Sequence, residues 1–289
     1  METNNNGRIV RTLFSGVFSL FLGIGLAGTT FAQDRGFPKI YFGESQSSDV
    51  AVMDTKDNKV VKRIPVQKGV HGIAITPDGS RVFVSSDESS AITAIDATTD
   101  EVIGTIPTGK APHGLIAGTD GKHIYAAVFG ADQILEINTR TLNVERTFTA
   151  PSPHNLALSP DSRTLYFAAQ KPGKTGIGTI DLQTGRFVQL VNTETVPRSL
   201  NVSSDGRVLS VTQFDRNEVE VFTTNPLEKS STVEVGASPH HTIFTPDGKL
   251  VLTVNQVSND LALIDTRTWK VVGKIAVGQK PHWIAPTTD

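Results

Sequence analysis

Five of the seven histidines in this chain fall at a single phase of a repeating pattern. They are His71, His113, His154, His240 and His282, and Arg198 takes the same place in the remaining copy. The intervals are 42, 41, 44, 42 and 42 residues. A proline precedes each of them except His71, which follows Val70. Proline fixes the backbone just ahead of the residue and so gives its side chain a defined direction. Three chemistries suit such a set. Converging imidazoles bind zinc, copper, nickel or iron, which makes His71, His113, His154, His240 and His282 candidate metal ligands. All six side chains could instead line a site for a small anion, and Arg198 favours this reading because a permanent guanidinium charge repels a metal cation. The third reading is structural: each imidazole donates to a backbone carbonyl of the neighbouring copy. Packed sheets sit about 10 Å apart. Six corners at that spacing lie on a ring of roughly 10 Å radius, which holds the imidazoles apart and favours the structural tie.

The elements that must carry these residues are short strands. After each corner comes an apolar run such as "HGIAIT", then an Asp-Gly turn, "PDG", whose residues tolerate the left-handed backbone of a hairpin. "RVFVSS", a polar loop, "AITAID", the turn "ATTD" and "EVIGTIP" complete the period. Four strands in about 42 residues predict one blade of a β-propeller. Apolar residues at nearly every strand position predict sheets covered on both faces. Residues 39–54 align with residues 81–96, so the first blade starts at its second strand. Residues 282–289 and 37–70 together make one period. The expected fold is therefore all-β: a single propeller of six four-stranded blades, closed when the C-terminal strand joins the N-terminal blade. Seven blades is the alternative. In this topology the six corners meet at the upper mouth of one channel and the Asp-Gly turns lie on the opposite face.

The segment "SPHHTIFTPDGKLVLTVNQVSNDLALIDTRTWKVVGKIAVGQKPH" (residues 238–282) resembles the YVTN-family β-propeller repeat. The resemblance recurs in every blade. It implies the propeller fold but not a single activity, since the repeat occurs in proteins of many roles. The wider propeller group includes nitrous oxide reductase, haem-type nitrite reductase and some lactonases.

Composition narrows the function further. The formal net charge is −2 with no basic block, so neither nucleic acid nor an anionic membrane surface is an expected partner. The chain has no cysteine, which rules out thiolate metal sites and covalently attached c-type haem. Arg8 and Arg11 precede a short apolar stretch that ends in "TTFAQ", the pattern of a secretory signal with cleavage after Ala32. The expected domains are a signal peptide, 1–32, and a propeller, 33–289, that is periplasmic or secreted and leaves the membrane once the signal is cleaved. Secondary features are weaker. "QKPGKTGIG" (170–178) lacks the context of a phosphate loop and is read as a loop insertion. Phe129 and Phe214 occupy equivalent loop positions, and Asp54, Asp96, Asp181 and Asp265 each precede a turn they can cap. Small residues follow the corner in four copies (Gly72, Gly114, Asn155, Ser199), with His241 and Trp283 in the other two. The functional expectation is a propeller that binds a protein partner or small anionic ligand at its upper mouth without catalysis of its own. The competing class is an enzyme, either a histidine-ring metal-dependent oxidoreductase or a lactonase-like hydrolase.

Overall fold

The computed structural model describes residues 39–43 and 47–284. The expected leader, residues 1–32, and the last part of the expected closing strand, residues 285–289, lie outside them. The architecture is all-β. Six antiparallel sheets follow one another along the chain, five of four strands and one of three. We number these blades 1 to 6. Blade 1 is the three-stranded sheet, Lys39–Gly43, Asp49–Asp54 and Lys59–Pro65. The innermost strands of blades 2 to 6 are Val70–Ile75, Pro112–Ala117, Pro153–Leu158, Pro197–Val202 and Pro239–Phe244. Pro281–Ile284, where the closing strand was expected to begin, forms no strand. There is no α-helix among the described residues, and no helix there is long and apolar enough to cross a membrane. Two single 3-10 turns, Phe129–Ala131 and Phe214–Arg216, begin at the two equivalent phenylalanines.

The core is a series of layers between adjacent blades. Phe83, Ile92, Ile124 and Ile137 fill the space between blades 2 and 3. Leu165, Phe167 and Ile134 fill that between blades 3 and 4. Each of these side chains is fully buried, worth about 1.5–3 kcal/mol relative to exposure. The expectation of sheets covered on both faces holds for the middle strands, such as Arg81–Ser86, and fails for the outer ones. Val102 and Ile103 in the outer strand of blade 2, and Phe187 and Val188 in that of blade 4, are exposed. Neighbouring blades fan apart with distance from the axis, so the outermost strands lose their cover.

The turns behave as the sequence suggests. Asp96 accepts from the amides of Thr98 (2.8 Å) and Thr99 (3.0 Å), and Asp265 from those of Arg267 and Thr268 (both 2.9 Å). In the Asp-Gly turns, Asp78 accepts from the Thr76 hydroxyl at 2.6 Å and the Ser80 amide at 3.0 Å. These bonds hold the carboxyls of Asp78, Asp96, Asp161, Asp205 and Asp265 below the usual carboxylate range. "QKPGK" is the tip of a lengthened hairpin, Thr164–Lys171 paired with Lys174–Asp181, and Lys171 is spent on Asp132.

Candidate functional site

Five of the six corners begin with a kink, the Arg198 corner being the exception. Ala111, Ser152, Ser238 and Lys280 have positive φ, between 39° and 57°, immediately before the proline, and Gly69 stands at 87° before Val70. Left-handed backbone costs a non-glycine residue about 1–2 kcal/mol, so the surrounding contacts must hold these corners in place. Next comes a bulge. In blades 2 to 5 the pairing of first and second strands skips two residues, as between Pro153 and Leu156, and in blade 6 it skips one, between Pro239 and His241. A bulge takes backbone groups out of the ladder and re-aims a side chain. Here it frees the carbonyl of the histidine position and turns its ring inward.

Four of those carbonyls, at His113, His154, Arg198 and His240, are held by one of two alternative devices. His113 Nδ1 bonds the carbonyl of His154 (3.2 Å), and His154 Nδ1 bonds that of Arg198 (2.8 Å). Where a hydroxyl sits fourteen residues after the corner, it does this work instead. Ser85 accepts from the Gly72 amide (2.8 Å) and donates to the His113 carbonyl (2.6 Å). Thr212 accepts from the Ser199 amide (3.0 Å) and donates to the His240 carbonyl (3.3 Å). The equivalent residues in the blades of His113 and His154 are Ala127 and Ala168, and there the imidazole takes over. His71 and His240 are left with a buried Nδ1 that has no partner.

The structure brings the six candidates together. Ring centroids are 3.5 Å apart for His71 and His113, 3.8 Å for His113 and His154, and 3.7 Å for His240 and His282. His71 lies 5.6 Å from His282, and His154 lies 6.4 Å from His240. The expectation that sheet spacing would keep the rings apart is thus overturned. The cause lies in the small residue after each corner. A Cβ on Gly72 would stand 2.4 Å from the His113 carbonyl oxygen, and one on Gly114 would stand 2.7 Å from that of His154. The inner strands therefore approach to backbone contact, far closer than the mean spacing of packed sheets. His241 departs from this pattern because its ring packs on Trp283, 4.3 Å away.

Burial governs the electrostatics. It pushes His71 and His282 down to about 4, His154 to about 3 and His240 to about 2, and His113 well below its ordinary value. The neighbouring rings and the Arg198 charge act in the same direction. At neutral pH the imidazoles are uncharged. Arg198 lies over the Phe214 ring at 4.8 Å, and no ion pair or hydrogen bond engages its guanidinium among the described residues. Phe214 also meets His240 edge-on at 6.3 Å, as Phe129 meets His154 at 6.3 Å. The two phenylalanines wedge the rings at the mouth. No group of three or more His, Asp or Glu side chains among the described residues is arranged to hold a metal ion.

No established family profile matches the chain. An uncharacterized protein, YncE, from Salmonella typhimurium is 28% identical over 96 residues, and its counterpart from Salmonella typhi matches equally. The match covers 33% of this chain and 27% of either relative. Among solved structures, the hydrazine synthase of Kuenenia stuttgartiensis superposes with a TM-score of 0.77 at 18% identity, covering 84% of each chain. A functionally unknown protein from Desulfotomaculum acetoxidans gives 0.74 at 18% identity, covering 86% of this chain and 84% of its own. The fold these solved structures share with the chain is the β-propeller described above. The dihydro-heme d1 dehydrogenase NirN gives 0.62 at 14% identity, over 88% of this chain and 66% of that one. At these identities the likeness is one of fold.

The six corner residues share one phase of the repeat, whereas Ser85 and Thr212 were not singled out from it. Their signal was present in the same register, where the repeat reads Ser, Ala, Ala, Thr, Val at 85, 127, 168, 212 and 254.

Proposed function

We propose that this protein is an exported β-propeller that binds a small anion at the histidine-lined mouth. One observation carries the reading: Arg198 is a partly buried cation without a counter-ion among the described residues, set among uncharged imidazoles. A partly desolvated charge that has an aromatic face beside it but no counter-ion is costly, and an anionic ligand relieves that cost. The imidazoles add hydrogen bonds and no competing charge. Binding rather than catalysis fits the hydroxyls behind the mouth, because Ser85 and Thr212 are committed to backbone groups and neither stands free as a nucleophile. Export is proposed from Arg8, Arg11 and the apolar stretch that ends before Gln33.

The test is isothermal titration of the mature protein with hydrogencarbonate, dihydrogen phosphate, nitrate and acetate, in the native protein and in Arg198→Gln. The substitution should weaken the anions that bind by about tenfold or more, the loss of one charge-assisted hydrogen bond worth ~1.5–3 kcal/mol. Equal affinity in the two proteins, or no binding of any anion to the native one, refutes the proposal. Stoichiometric copper, zinc or iron in the purified protein would favour the metal-dependent alternative.

A further inference from the structure

The four rings of blades 2, 3, 4 and 6 are not chemically equivalent, although the repeat places them in one phase. His113 and His154 each have a backbone carbonyl against Nδ1. A carbonyl only accepts, so both rings must carry their proton on Nδ1, which leaves Nε2 as a bare lone pair. His71 and His240 have a buried Nδ1 with no partner at all. A buried N–H without an acceptor costs more than a buried lone pair without a donor, so these rings carry the proton on Nε2. The Nε2 atoms of all four lack a hydrogen-bond partner among the described residues, and none is among the enclosed polar atoms. They are the groups a ligand meets.

We infer that the mouth presents a mixed pattern, with donors at His71, His240 and Arg198 and acceptors at His113 and His154, and that its ligand is a small oxyanion carrying its own O–H. The inference rests on the anion reading above and narrows it. A fully deprotonated anion such as nitrate satisfies the donors but faces two lone pairs with nothing to give them. Hydrogencarbonate, dihydrogen phosphate and short 2-hydroxycarboxylates share the needed combination of oxyanion and hydroxyl. A buried acceptor left unpaired discriminates strongly against the analogue that lacks the hydroxyl.

Two measurements on the native chain test this without relying on a variant that may not fold. Long-range 15N–1H correlation spectra assign each imidazole tautomer. His113 and His154 should be Nδ1–H, and His71 and His240 Nε2–H; one common tautomer in all four rings overturns the inference. Titration then compares hydrogencarbonate with planar nitrate, and lactate with propionate. The hydroxylated member of at least one pair should bind tenfold or more tightly. Nitrate binding as well as hydrogencarbonate, together with propionate binding as well as lactate, overturns the ligand class and leaves the anion reading standing. If the tautomers are as stated and no anion binds at all, the anion reading fails and the ligand class falls with it. A preference for dihydrogen phosphate over hydrogencarbonate and lactate would identify a tetrahedral ligand within the same class.

Discussion

At the scale of the residue, the imidazoles make stability depend on pH with a definite sign. Free in the unfolded chain, each titrates near 6.5. In the fold, burial lowers His71 and His282 to about 4, His154 and His241 to about 3 and His240 to about 2. Above about pH 6.5 both states are neutral and the full stability is present. As the pH falls toward 4, the unfolded chain takes up protons that the folded one refuses, so stability declines. The urea midpoint should therefore be flat from pH 8 to 7 and drop steadily from pH 7 to 5. A midpoint that does not move over the lower range means the rings are not buried as described. The phase of these residues was legible in the sequence because duplication preserves register. The contact of their rings was not, because it depends on backbone contact at Gly72 and Gly114 that no spacing of letters reveals.

At the scale of the element, the inner strands are the working parts. Gly72 sits where a Cβ would meet the His113 carbonyl at 2.4 Å and the Ser85 hydroxyl at 3.0 Å. Gly72→Ala should push blades 2 and 3 apart and cost about 1–3 kcal/mol, the range for overpacking a tight site. Gly273→Ala is the control, since a Cβ there meets nothing within 4 Å and should change stability by no more than about 0.5 kcal/mol. Chemical denaturation of the two variants compares them, and equal stabilities would show that the strands can yield without cost. The hairpins were legible from Asp-Gly turns and the short apolar runs on either side of them. The exposure of Val102, Ile103 and Val188 was not, because it reflects how blades splay rather than any feature of the strands themselves.

At the scale of the whole molecule, six blades follow from counting periods, and the structure has six sheets. Blade 1 has three strands among the described residues, and His282, near the end of those residues, stacks on His240 and approaches His71. Export, proposed above from the sequence of residues 1–32, is tested on the full chain. Expressed in a bacterial host with its own N-terminus, the protein recovered from the periplasm should begin at or near Gln33. Edman sequencing that reads Met1 or Glu2 from that fraction removes the signal-peptide proposal.

The exchange between hydroxyl and imidazole at the corners has a consequence for how such a ring can diversify. In the blades of His113 and His154 the histidine holds up its neighbour, so replacing it strands the next blade's carbonyl. Thr212 removes the constraint in one blade by taking over the His240 carbonyl. That is the blade where Arg198 stands at the position histidine holds elsewhere. Threonine first and arginine second is a downhill route, and the reverse order crosses an intermediate with an orphaned acceptor. Ser85 gives the blade of His71 the same freedom, which marks position 71 as the next place where this ring can acquire a new chemistry.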